Sequence, residues 1–192
     1  MPTLGSLGGG LLGGPARRFR NVFFSFHYAD VVLAAQIRQS WRIRGVHQAG
    51  FRDGADWEEV RRRDIPTIRR WIGEQIDGTT VTAVLIGQQT YAREWVRYEI
   101  AETVRRGNGL LGIHMHLMNG FDVNARGLLR TPVPGRSPFL DHAPRGQQGI
   151  VGSALRIATT LHDEVRTYCW QMNHGYDNFG DWVDEAARTV GR

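Results

Sequence analysis

Short apolar runs alternate along this chain with stretches in which apolar residues return every three to four positions. Residues 21–26 (NVFFSF) form an apolar run broken by one serine, the pattern of a strand covered on both faces. From Asp30 to about residue 44, Val32, Leu33, Ile37 and Trp41 fall on one side of a predicted helix. A weaker strand at 46–51 leads into a loop at 52–56. Asp64 is the expected cap of the next helix, with Pro66 in its first turn. There Ile65, Ile68, Ile72 and Ile76 make a core stripe and Gly78 ends the element. Residues 79–87 (TTVTAVLIG) give the clearest central strand. A helix over 93–106 stops at Gly107, and a strand is predicted over 110–117. Residues 165–170 supply a last short strand. The final helix carries Phe179, Trp182, Val183, Ala186, Ala187 and Val190 on one face, with Gly191 after it.

This alternation predicts an α/β fold, a five-stranded parallel sheet with helices on both faces. The flavodoxin-like order 2-1-3-4-5 is the expected topology. Ligands of such sheets bind at the carboxyl ends of the strands where the order reverses, here between strands one and three. Ser25, Phe26, His27 and Tyr28 arrive there from one side, and residues 87–95 from the other. Two segments stand outside the rhythm. Residues 1–19 are glycine-rich and read as a flexible extension, which leaves 20–192 as one domain. Residues 118–149 hold four of the seven prolines and no sustained period, so a long insertion at about 118–150 is expected, a mobile lid or sensing surface and not core.

Composition narrows the chemistry. The 192 residues carry a net charge of +5, and all 24 basic residues are arginine. Without lysine there is no Schiff-base lysine, no P-loop lysine and no lysine general base. The arginines are interspersed with acids such as Glu58, Glu59, Asp64 and Glu102, as on solvated helix faces. No basic stripe interleaved with aromatics points to nucleic acid. The single cysteine, Cys169, excludes an internal disulfide and suits the cytoplasm. No run reaches a membrane span and no signal peptide is expected at the start.

Several uses of the fold fail on the residues at the switch point. A phosphoacceptor receiver needs an acidic cluster after strand one and a lysine ending strand five. A flavodoxin needs a Ser/Thr/Gly-rich phosphate loop where this chain has FSFHYAD. His114 and His116 form an H-x-H pair, but no third ligand completes a metal site in the sequence. What remains is residues 84–100, VLIGQQTYAREWVRYEI. Trp95 and Glu99 are four apart on one helical face, and Val96, Ile100 and Val104 form the adjacent ridge toward the sheet. Glu99 therefore stands at the edge of the buried stripe. The alternative is a surface glutamate paired with Arg93 or Arg106.

These residues also carry a resemblance. F-F-S-F-H-Y-A-D, residues 23–30, resembles the opening of TIR domains. V-L-I-G-x-x-T-Y-x-x-E-W-x-x-x-E-I, residues 84–100, resembles the TIR segment that bears the catalytic glutamate in its W-x-x-x-E context. With F-R-D-G-A-D-W-E-E-V, R-G-N-G-L-L-G-I-H and the closing G-D-W-V-D-E-A-A, the chain is similar over nearly all of 20–192 to the bacterial TIR-like family that includes the ThsB proteins of Thoeris anti-phage systems. The resemblance implies cleavage of NAD, as substrate and with no separate cofactor, between nicotinamide and ribose. It further implies cyclisation to a cyclic ADP-ribose isomer that signals to a separate effector protein, with a phage-derived trigger and homo-oligomeric assembly as associated features. By the same match Glu99 is the catalytic residue, Trp95 shapes the pocket, and Ser25, Phe26, His27 and Asp53 line the substrate site. The positions between Gly87 and Trp95 lack the serines common in TIR domains, and the 118–150 insertion lies beyond the TIR pattern. The rival reading is a non-enzymatic TIR-like module that assembles with partners.

Overall fold

A computed structural model describes residues 20–42, 48–49, 62–118, 134–139 and 165–192 of the chain. Strand β1 is Val22–Ser25, and a single 3-10 turn, Tyr28–Asp30, leads into helix α1, Val31–Arg42. Then follow β2, Gln48–Ala49, α2, Ile65–Ile76, and β3, Val81–Ile86. A second 3-10 turn, Thr90–Ala92, precedes α3, Glu94–Arg105. The remaining elements are β4, Gly109–His114, β5, Thr167–Cys169, and α4, Gly175–Thr189. The strands lie in the order β2-β1-β3-β4-β5, with every neighbouring pair parallel. The pairing places Ser25 beside Val84 and Ile86 beside His114.

The period of two along the strands sends alternate residues into two separate cores. Val22, Phe24, Val81, Ala83, Leu85, Leu111 and Ile113 join Ala34 and Ile37 of α1 and Phe179, Trp182 and Val183 of α4. On the opposite face Phe23 packs with Ile68, Ile72 and Ile76 of α2, while Val84 and Ile86 pack with Val96 and Ile100 of α3. Each fully buried isoleucine of the α2 stripe contributes roughly 1.5–3 kcal/mol. Helices thus cover both faces of the parallel sheet. Among the described residues no helix is long and apolar enough to cross a membrane.

Several expectations need adjustment. Asp30 lies in the 3-10 turn, and α1 begins one residue later. Val32 and Ile65 are exposed, so the α1 face is set by Ala34 and Ile37, and the α2 stripe starts at Ile68. Val190 is exposed beyond the end of α4. Asp64 holds the cap position of α2, but its side chain makes no capping hydrogen bond. Gly78 and Gly107 end α2 and α3 at φ +71° and +64°, the left-handed region where glycine has no Cβ penalty. The largest correction concerns 118–149. Phe139 is only 2% exposed and packs on Val84, Ile86, Val96 and Ile100, so this part of the insertion is core. Residues 1–19 lie outside the described residues.

Candidate active site

Ser25 ends β1 on the α2/α3 face, and it is the one hydroxyl in a strand of otherwise apolar residues. At 1% exposure it must find a partner within the fold. That partner is Glu99: the Ser25 hydroxyl donates to Glu99 Oε2 at 2.6 Å. Glu99 arrives there because Val96 and Ile100, on the same side of α3, are buried against Val84 and Ile86. A second polar key sits one turn further along the helix. Thr103 donates to the Glu99 carbonyl at 2.7 Å, and its hydroxyl lies 2.7 Å from that of Thr82 on β3. Sequence reasoning missed Thr82 and Thr103, although hydroxyls at inward positions of a strand and a helix stripe were a usable signal.

Glu99 is 2% exposed, which removes the surface-pair alternative. Arg106 pairs with Glu102, which accepts from Arg105 and Arg106 at 2.6–2.8 Å. The hydrogen bond from Arg105 comes first among the causes that hold the Glu102 carboxyl below the usual carboxylate range.

The β3–α3 turn forms the other wall of the switch point. Thr90 is fully buried; its Oγ1 accepts from the Gly87 amide at 2.9 Å and donates to the Leu85 carbonyl at 3.3 Å. Gly87 itself has no room for a side chain, because a Cβ there would collide with the Asp30 carboxylate. Gly135, from the anchored part of the insertion, packs directly on the Gly87 carbonyl. No motif or period in the chain foreshadows this contact.

The remaining expected site residues are dispersed. His27 is half-buried beside this turn; burial first, and then the nearby Arg93 guanidinium, depress its pKa. Phe26 packs against the α1/α4 core, on the opposite side of the sheet from Ser25 and Glu99. Trp95 is half-buried with the α2 cluster, edge-on to Tyr98 at 5.9 Å between ring centroids. Asp53 lies outside the described residues. His114 and His116 stand edge to face at 5.8 Å, each with a buried Nδ1 that lacks a hydrogen-bond partner among the described residues. Among those residues no group of three His, Cys, Asp or Glu side chains could hold a metal ion.

Known proteins match this chain at two levels. A family model described as "Thoeris protein ThsB, TIR-like domain" matches residues 23–119. A protein of Bacillus cereus (strain MSX-D12), named "Putative cyclic ADP-D-ribose synthase ThsB1", is 31% identical over 191 residues. That alignment covers 86% of this chain and 99% of the Bacillus protein.

Proposed function

The chain belongs to the Thoeris ThsB TIR-like domain family, and from that premise we propose that it cleaves NAD at the nicotinamide–ribose bond and closes the ADP-ribose part into a cyclic isomer. The observation that carries the reading is Glu99, a carboxylate buried at the β1/β3 switch point and held by Ser25. The ring nitrogen of NAD is already cationic, so nicotinamide leaves with the bonding electrons and needs no proton. The ribose C1′ then carries oxocarbenium character, as in glycoside hydrolysis. Glu99 supplies a fixed negative charge to it, worth most where water is excluded. An adenine nitrogen or a ribose hydroxyl of the same ADP-ribose can then bond to C1′, a hydroxyl passing its proton to solvent as the bond forms; water attacking instead loses its proton in the same way and gives linear ADP-ribose. The chemistry needs one carboxylate and no cofactor. The Bacillus relative's name, a cyclic ADP-D-ribose synthase, supports the cyclic outcome.

In this reading the domain spans 20–192, works in the cytoplasm, answers a phage-derived trigger through homo-oligomeric assembly, and signals to a separate effector by its diffusible product. The test is Glu99→Gln, which keeps size and can still accept from Ser25. Nicotinamide release should fall by about 10²–10³, or ~3–4 kcal/mol, with circular dichroism unchanged. Equal release and equal product mass in the two proteins under activating conditions would refute it.

A further inference from the structure

Residues 134–139 meet the β3–α3 turn at two fixed points, Gly135 on the Gly87 carbonyl and Phe139 in the core beside Ile86. Between them Arg136 is exposed, with its guanidinium 5.5 Å from the centre of the Tyr91 ring. Among the described residues it has no carboxylate partner. Tyr91 belongs to the same turn as Arg93, whose Nη2 donates to Gln89 and whose buried Nε has no hydrogen-bond partner among the described residues. A third arginine, Arg97, is already committed, its Nε donating to the Tyr91 carbonyl at 3.0 Å. Among the described residues, acids near this turn include Asp30, whose carboxylate lies against Gly87, and Glu94 in the first turn of α3.

Arg136 thus lies over the Tyr91 ring, and Arg93 follows two residues later at the end of the same turn. Arg93 precedes Glu99 by six residues, about 9 Å along the helix axis. That interval suits a ligand with a ribose at one end and a phosphate one 5′ linkage away. Arginine also presents paired donors that match phosphate oxygens, which a point charge does not.

We propose that Arg136 and Arg93 form a pyrophosphate-binding rim that grips the central phosphates of NAD while Glu99 faces the nicotinamide ribose. The inference rests on the NAD-cleaving reading and extends it to a segment that the TIR pattern does not include. The anchored part of the insertion thereby contributes one of the two cations of the rim.

The experiment is calorimetric titration with ADP-ribose under the activating conditions of the Glu99→Gln assay; this ligand keeps the pyrophosphate but cannot release nicotinamide, so turnover does not enter. Adenosine, which lacks phosphates, serves as the comparison ligand. Arg136→Ala should weaken ADP-ribose binding by roughly tenfold to a hundredfold, the scale of hydrogen bonds to a charged group. Arg136→Lys should fall between, and the loss should shrink as salt rises. Circular dichroism and an unchanged thermal midpoint check that the variants keep the wild-type fold. Wild-type affinity for ADP-ribose in Arg136→Ala, an equal loss of adenosine binding, or no ADP-ribose binding by the wild-type protein would each overturn the rim. The catalytic reading fails separately: Glu99→Gln would then still release nicotinamide while Arg136→Ala lost ADP-ribose.

Discussion

Ser25 shows what a single side chain can decide at this site. The topology delivers it to the switch point as a candidate substrate contact, yet the pleat turns it inward to Glu99. Its expected role is to hold the carboxylate, so Ser25→Ala should lower kcat about tenfold or more and leave KM for NAD nearly unchanged, as loss of one charge-assisted hydrogen bond implies. A rise in KM with kcat intact would make Ser25 a substrate contact after all. His27 and His114 test the electrostatics at the same scale. Burial is the first cause of a depressed pKa in both, followed by Arg93 for His27 and His116 for His114. Below about pH 6.5 the unfolded chain takes up protons that the folded one refuses, so stability present at neutral pH is lost as pH falls toward the folded values. Thermal melts from about pH 7.5 to 5 should fall steadily, and more shallowly in His27→Asn or His114→Asn.

The secondary elements were legible to different degrees, for physical reasons. The helices α2, α3 and α4 follow the helical period, and the glycines after them mark their ends within a residue or two. The edge strands are short, two residues in β2 and three in β5, and too brief for a period to register. Glu99 was legible because Val96 and Ile100 fix which side of α3 meets the sheet. Thr82 and Thr103 were not, since a threonine at an inward position reads equally well as a strand former. Residues 134–139 were hidden for a different reason: the segment anchors through one aromatic and one close backbone contact, and neither leaves a repeating pattern. Phe139→Ala should therefore cost about 3–5 kcal/mol in chemical denaturation. Replacing 118–149 wholesale should likewise destabilise the protein, because it removes Phe139 with the rest. A midpoint unchanged by Phe139→Ala would mean that the segment only rests on the core.

At the scale of the whole molecule, both faces of the sheet are sealed, and the carboxylate that would face the oxocarbenium is sealed with them. At 2% exposure, Glu99 offers almost no surface to a dinucleotide in this conformation. The purified protein at rest should accordingly turn NAD over slowly, with a steep rise on activation that follows an opening near the switch point. Hydrogen exchange can read that opening: amides of the 87–97 turn should gain exchange on activation while those of β3 stay protected. Rapid, unstimulated nicotinamide release would mean that the closed arrangement is no barrier.

The contact between Gly87 and Gly135 reaches beyond the single protein, into how its sequence can diverge. Two segments far apart in the chain meet there backbone to backbone, and a Cβ at Gly135 would lie on the Gly87 carbonyl, whereas one at Gly87 would meet the Asp30 carboxylate. Position 135 cannot drift while its segment stays seated on the turn, and position 87 cannot drift while Asp30 keeps its place. The two glycines thus answer to different neighbours. An alignment of relatives should therefore keep glycine at 135 where the segment is anchored on the turn, and glycine at 87 where an acid stands at position 30.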